Sequence, residues 1–449
     1  MNIKMMAPCA LLLSIISSSA LAKVSLQQAS ELGNTLTPMG AEQAGNKDGT
    51  IPSYKGGLAG DKHSDPTLDI FANEQPLYTI TAKNLAHYRD KLSDGQVALF
   101  NKFPDSYSMP VYPTHRTAAY PQRIYEKAKK NATRARLVDE GNGMNNFNEA
   151  VPFAIPQSGL EVIWNHISRY RGGSVERNSA SLPVQADGSF VPVKVRSQMI
   201  SPHYLKGGYD PREDDNVLFY FTSTIKSPAR LSGNILLIHE TIDQVNQPRM
   251  AWKYNSGQRR VRRAPQVSYD APVATAGDLR TSDQTDMFNG APDKYNWKLV
   301  GKQEIYIPYN AYKLMDPNVT YADIVAPGHI DQSYTRYELH RVWKVEATLK
   351  EGERHVYGKR TFYVDEDSWQ IALADHYDSR GELWRVAEGH AMQFVNADTL
   401  WYASSTSYDL MSGRYLVTLN NEEKNAFKFG KKMKRKQFTS AAIRRQGKR

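Results

Sequence analysis

Cysteine is nearly absent: Cys9 is the only one in 449 residues, so no intramolecular disulfide can form. A disulfide-stapled scaffold is therefore excluded. No stretch after the first 22 residues approaches the 18 consecutive apolar residues that a membrane-spanning helix needs. Catalytic signatures are missing too. There is no G-x-S-x-G elbow, no phosphate-binding glycine loop and no EF-hand spacing, and His239-Glu240 lacks the second histidine of H-E-x-x-H. No cofactor and no metal follow from these motifs, and the chain reads as a non-enzyme. No repeat of fixed period occurs. Acid is missing from one region, since residues 424–449 hold eleven Lys and Arg and no Asp or Glu.

What is present is ordinary globular composition, with 40% hydrophobic residues, 23 prolines, 29 glycines and 26 tyrosines. This mixture favours a β-rich, loop-rich fold. Lys4, the apolar residues 7–16 and Ala20-Leu21-Ala22 before Lys23 form the pattern of a cleavable secretory signal over residues 1–22. The apolar stretch is too short for an anchor, and Cys9 lies early in it, which argues against a lipidated N-terminus. Its removal leaves no thiol for nucleophilic chemistry or thiolate metal binding. The mature product is expected in the periplasm or outside the cell. The formal charge of +10 is smaller than the tail's eleven basic residues, so the remainder is slightly acidic. Basicity is thus a tail property, and a nucleic-acid surface over the fold is not supported. The tail, 424–449, reads as a disordered solubility segment or as one drawn to anionic headgroups, with Phe427, Phe429 and Phe438 interleaved.

The body, 23–423, reads as one domain. Residues 23–80 carry turn chemistry and should wrap over something else. Residues 81–140 form a helical cover, with Thr81 capping a helix over 82–100 and a second helix over 120–138. From about 187 to 419, about ten or eleven strands alternate with turns, giving an α+β, mainly antiparallel architecture. Residues 337–349 show the pattern best: Tyr337, Leu339, Trp343, Val345, Ala347 and Leu349 share one face with Arg341, and Glu338, His340 and Lys344 share a wet one. So many strands cannot stay flat.

A long curved sheet has a hollow side, which helices plug in part and which leaves either an apolar cavity or a packed core. Candidate lining residues are Phe219, Phe221, Leu237, Trp252, Leu339, Trp343 and Val345. Residues 252–265 form a hairpin whose second strand carries Arg259, Arg260, Arg262 and Arg263, able to grip phosphates or carboxylates or to pair internally. Arg341 on an apolar face either meets a lipid headgroup or pairs with a carboxylate. His340, His355, His376 and His390 lie on neighbouring strands, and Asp365-Glu366-Asp367 reads as a hairpin turn.

Residues 36–57 (LTPMGAEQAGNKDGTIPSYKGG), 252–269, 286–310 (DMFNGAPDKYNWKLVGKQEIYIPYN), 336–349 and 355–369 resemble a family of periplasmic proteins related to the outer-membrane lipoprotein-sorting carriers LolA and LolB. Members often stand beside transporters of the resistance-nodulation-division (RND) class. The resemblance covers nearly all of the mature chain except the tail. It implies an unclosed antiparallel barrel, helices over its mouth and an apolar interior for acyl chains, and it transfers no catalytic residue. The expected function is binding or carriage of a lipid or other hydrophobic ligand, with an RND-type transporter or the outer membrane as partner. The alternative is a ligand-free structural adaptor of an export assembly.

Overall fold

The computed structural model describes residues 24–61, 63–244, 246–264 and 269–448. The expected signal segment, 1–22, lies outside the described residues. Two short strands come first, β1 (Tyr78–Ile80) and β2 (Met109–Val111), then a separate hairpin of β3 (Arg136–Val138) and β4 (Gly143–Asn145). A first meander follows: β5 (Ser174–Val184), β6 (Val193–Ile200), β7 (Val217–Ser227), β8 (Ile235–Thr241), β9 (Met250–Asn255) and β10 (Arg260–Ala264). The second meander comprises β11 (Tyr295–Pro308), β12 (Tyr337–Leu349), β13 (Lys359–Asp365), β14 (Ile371–Tyr377), β15 (Leu383–Phe394), β16 (Thr399–Asp409) and β17 (Tyr415–Leu419). A last short strand, β18 (Phe427–Phe429), pairs with β5.

Strand β17 pairs antiparallel with β5 and so joins the meanders side by side, with β11 and β10 left as unpaired long edges. The sheet is antiparallel apart from one short β2–β12 contact, and it does not close. Its 16 strands exceed the expected ten or eleven. The surplus has a physical source: β5 reads SVERNSASLPV and β11 reads YNWKLVGKQEIYIP, polar enough to pass for loop, and β11 carries a bulge between Leu299 and Gly301. The stretch 404–419 is likewise two strands, broken by a turn after Asp409.

Among the described residues seven α-helices accompany this sheet: α1 (Leu26–Ala29), α2 (Asp94–Lys102), α3 (Gln122–Arg134), α4 (Gly159–Ser168), α5 (Pro211–Asp214), α6 (Tyr321–Ile324) and α7 (Ser440–Gly447). The helix expected over 82–100 is split. Ser93 and Gln96 form a capping box that starts α2 afresh, behind a 3₁₀ turn at Leu85–Lys91. The second expected helix stops at Arg134, and β3 follows.

Helix α4 fills the hollow. Eight of its ten residues are buried, which is the signature of a helix enclosed on all sides. Val162, Ile163, Trp164 and Ile167 pack with Val342, Val345, Phe362 and Ile371 in the main core. Each such side chain contributes roughly 1.5–3 kcal/mol on burial.

The basic tail is folded, contrary to the disorder expected of it. Met433, Phe438 and Ile443 are buried against Ile200, Leu205, Tyr220, Ile235, Leu237 and Tyr254. Counting charges hid three apolar anchors spaced five residues apart. Tyr254 donates a hydrogen bond to the Gly447 carbonyl at 2.9 Å, and a Cβ at Gly447 would sit 2.1 Å from the Tyr254 ring, so only glycine fits there.

Two buried carboxyls stand behind α2. Burial raises Glu388 to about 8 and Asp375 to about 7, although Tyr337 donates to Glu388 and Ser93 to Asp375. Nearby His390 is pushed down to about 3 by burial and stays neutral at 3.8 Å from Glu388. A folded-state pKa above the unfolded one gives stability that is full in acid and lost as pH rises through the folded value.

Two predictions follow from this packing. Phe438→Ala or Ile443→Ala should lower the unfolding free energy by about 2–5 kcal/mol in urea titrations, and a stability equal to the parent's would place the tail outside the core. Between pH 7 and 8, above the range in which an unfolded His390 would take up a proton, the urea midpoint should fall, and Glu388→Gln should flatten that slope by up to about 1.4 kcal/mol per pH unit; parallel profiles would mean that Glu388 is ionised in the folded state.

Candidate ligand-binding site

Helix α4 ends where Arg169 turns extended, and Tyr170-Arg171-Gly172-Gly173 leads into β5. Gly172 and Gly173 both have positive φ, 75° and 73°. A Cβ on Gly173 would lie 2.5 Å from the Tyr204 ring, so the bare backbone lets Tyr204 close in. Between this turn, the end of β6 and the start of β7 lies a cavity of about 290 Å³. It is at the small end of ligand pockets, which run from about 300 to 1,000 Å³. Phe147, Met199, Val217, Leu218, Phe219 and Ile242 supply its apolar wall.

Arg169 and Arg171 form its floor. Both reach the Asp286 carboxylate, at 2.9 and 2.8 Å, and the Trp401 indole donates to the same carboxylate at 2.8 Å. Burial would raise Asp286, but the two guanidiniums hold it well below the usual carboxylate range. Burial and the charge of Arg169 lower Arg171 to about 10, still cationic at neutral pH. His166 completes the group: Ile371 N–H donates to Nδ1 at 3.0 Å, so Nε2–H faces the Asp286 carbonyl at 2.8 Å. Burial, then Arg169, keeps this imidazole neutral. Two cations therefore share one carboxylate beside a mixed cavity whose lining also holds Glu149, Asp214 and Asp215, and Arg169 Nε has no hydrogen-bond partner. Asp286 and Met287 both have positive φ, 56° and 70°, a strain that buys the placement of the carboxylate.

The rim is tied to α3 and to the tail. Arg123 donates to Tyr170 Oη and Tyr204 Oη at 2.9 and 2.7 Å, while Tyr204 and Lys127 both bond to Glu149. Asp214 on the opposite rim accepts from Tyr220 at 2.7 Å and pairs with Arg435. Beyond the cavity, Met199, Phe221, Ile238 and Ala251 align in register across β6 to β9, each half-buried, as an apolar trough on the face that Phe219 shares.

The sequence-derived lining residues separate. Phe219 lines the cavity and Phe221 lies in the trough. Leu237 and Trp252 point to the opposite face, in the cluster under the tail. Leu339 belongs to a second core, Val345 to the main core, and Trp343 stacks on Trp369 with ring centres 6.3 Å apart. None of these five lines the cavity, because α4 occupies the hollow they were expected to enclose.

Arg341 is buried and donates to the Ala44 carbonyl at 3.0 Å and to Glu366 at 3.2 Å, an internal pairing that withdraws it from any headgroup. Arg259, Arg260, Arg262 and Arg263 are exposed at the β10 edge, remote from the cavity lining. Asp365-Glu366-Asp367 does form the turn between β13 and β14, but it is buried. His340 stands beside it, in a group with Asp365 and Asp367 that has metal-ligand spacing. Both Asp367 oxygens are already held by Arg116, at 2.7 and 2.8 Å, so a guanidinium closes that cluster. The four histidines do not converge: His355 and His376 share the surroundings of Arg360 and Tyr357, His340 pairs with Glu338, and His390 lies by Glu388. Sequence reading missed Arg169, Arg171 and Asp286, although Tyr170-Arg171-Gly172-Gly173 was a usable signal: arginine before two glycines marks a tight turn that fixes a charge.

Residues 79–444 match the family described as Protein of unknown function (DUF1329). An uncharacterized protein of Pseudomonas aeruginosa is 55% identical over 442 residues, covering 97% of this chain and 97% of its own length. Among solved structures, the chain is similar to a provisionally assigned outer membrane lipoprotein-sorting domain from Vibrio parahaemolyticus, with TM-score 0.43 and 11% identity over 64% of this chain and 98% of that one. It is also similar to a LolA superfamily protein from Nitrosomonas europaea, with TM-score 0.36 and 14% identity over 63% and 98% of the two chains. Matched along most of its length by the family model and by the Pseudomonas relative, the chain belongs to the DUF1329 family.

Proposed function

We propose that the protein is a periplasmic binder of an amphiphile with an anionic head, such as a fatty acid or the acyl chain and headgroup of a lipid. One observation carries the reading: a cavity with an apolar wall is also lined by two arginines that share a single carboxylate. A carboxylate or phosphate placed there would face the two arginines and accept charge-assisted hydrogen bonds. The chain of the ligand would follow Leu218 and Phe219 and continue over Phe221 and Ile238 in the trough. The cavity holds on the order of ten water-sized groups, so it suits one chain and leaves the rest to the trough.

The physical need for such a carrier is plain. Each methylene removed from water is worth about 0.8 kcal/mol, so a 16-carbon chain resists desorption into water by roughly 13 kcal/mol. A shielding protein lowers that barrier. The natural partner is a membrane system of the cell envelope, either an RND-type transporter or the outer membrane. A second reading, a ligand-free adaptor, draws on the filled hollow, where α4 and the main core occupy the volume that a large lipid would need.

Native mass spectrometry after gentle extraction, together with titration of a fluorescent 16-carbon fatty acid, separates the two. The binder should carry a lipid mass and take up the probe. Arg171→Gln should weaken uptake at least tenfold, and Leu218→Trp, which fills the cavity, should abolish it with the thermal midpoint retained. A clean apo mass and no uptake by the parent protein would establish the adaptor.

A further inference from the structure

Residues 244–269 and 424–449 each hold no acidic residue, and the fold lays α7 of the second against β9 and β10 of the first. Helix α7 packs across β8, β9 and β10, with Ile443 and Phe438 buried against Tyr254, Leu237 and the partly buried Trp252 and Val261. His239 Nε2 and the Phe438 carbonyl, 2.8 Å apart, and Gln446 donating to Thr224 Oγ1 at 3.1 Å fix the tail in this position.

The outcome is an edge where cations accumulate. From the hairpin, Lys253, Arg259, Arg260, Arg262 and Arg263 are exposed; from α7, Arg444, Arg445 and Lys448 are exposed beside them. Among the described residues none of these eight forms an ion pair. The basic tail residues nearer the cavity behave differently: Lys431 pairs with Glu176 and Arg435 with Asp214. Lys424, Lys428, Lys432, Lys434 and Lys436 are exposed without an ion pair as well, so what distinguishes the edge is that cations of the hairpin and of the helix stand together there.

Strand pairing adds the direction. Arg262 stands opposite Lys253, and Lys253 opposite Leu236, on the same face as Phe221, Ile238 and Ala251. Arg263 stands opposite Trp252 on the α7 face. The cations therefore flank both faces of β10, and the half-buried apolar trough ends among them. A guard against edge-to-edge strand pairing explains charges on β10 alone. It does not explain Arg444 and Arg445, which lie on α7, or Lys448 at its C-cap.

We infer that the β9–β10 hairpin and α7 together form a membrane-docking edge that meets anionic phospholipid headgroups and opens the trough toward them. The partner is argued from charge: arginine matches phosphate bidentately, and a carboxylate-free edge with cations on both faces suits a plane of phosphates. Attraction of this kind is long-ranged only in dilute salt, since the Debye length is about 8 Å at 0.15 M. Docking stands apart from cavity binding, so either can fail without the other.

Sedimentation of the full chain with vesicles of neutral phosphatidylcholine, or of phosphatidylcholine with one-third phosphatidylglycerol, tests this. The parent should bind the anionic vesicles at least tenfold more than the neutral ones at 50 mM salt, and lose most of that at 300 mM. Arg260→Glu/Arg262→Glu/Arg263→Glu and, separately, Arg444→Glu/Arg445→Glu should each reduce binding at least fivefold with fatty-acid uptake unchanged. Replacing the same five arginines by lysine should retain most of it. Lys129→Glu/Lys130→Glu, on the exposed face of α3, is the control for net charge and should lose less than twofold. Equal binding to both vesicle types, no binding to either, or an equal loss in the α3 control would overturn the inference; capture of an acidic protein in place of vesicles would reassign the edge to that partner and overturn it as well.

Discussion

An antiparallel sheet that curls without closing must solve two problems that a closed barrel does not have. Its concave side is open to water, and its two terminal strands carry unpaired backbone groups. The rest of this molecule follows from those demands. Helix α4 enters the hollow with nearly every residue buried, and the tail returns to cover the outer face of β7 to β9. The edge strand β10 is left bristling with arginine, which keeps other strands away. What remains open is a modest cavity at the C-terminal end of α4, where the filler stops before the sheet does.

That cavity gains its character from an electrostatic mismatch. Removing a guanidinium from water is costly unless a carboxylate is nearby, and here two guanidiniums are removed for one carboxylate. The strained backbone at Asp286, the neutral His166 and the Trp401 indole all serve to hold that carboxylate in place. Contrast the cluster around Asp365, Glu366 and Asp367, where Arg116 holds Asp367, Arg341 and Lys302 hold Glu366, and Asp365, raised to about 7 by burial, accepts from the Ser368 hydroxyl. The second cluster is structural cement. The first leaves two guanidiniums to one carboxylate.

Much of the sheet was legible because alternation survives wherever one face is wet. Strand β12 runs over the residues that alternation picks out, and the acidic turn between β13 and β14 was visible from its composition. Alternation misled in two directions. In β5 polar residues fill both faces from Glu176 to Ser179, and in β11 the alternation of Tyr295, Trp297 and Leu299 is interrupted by the bulge before Gly301, so no continuous apolar period announces either strand. In β12 the half from Tyr337 to Val342 is buried on both faces, so Glu338 and His340, read as wet, are sealed beneath residues 114–117. The lining residues failed for a related reason. Period-two spacing tells which residues share a face, but only tertiary packing tells which face α4 will fill. The floor arginines lie in a loop, outside any periodic pattern, and the carboxylate that joins them is more than one hundred residues away in sequence.

The account turns on whether the two arginines beneath the cavity are a ligand site. A crystal structure of the protein grown with a 16-carbon fatty acid addresses this directly. The account predicts continuous density with the carboxylate within hydrogen-bond distance of Arg169 or Arg171 and the chain against Leu218 and Phe219. A cavity holding only water at saturating fatty acid, or a chain bound with its carboxylate away from both arginines, would contradict it.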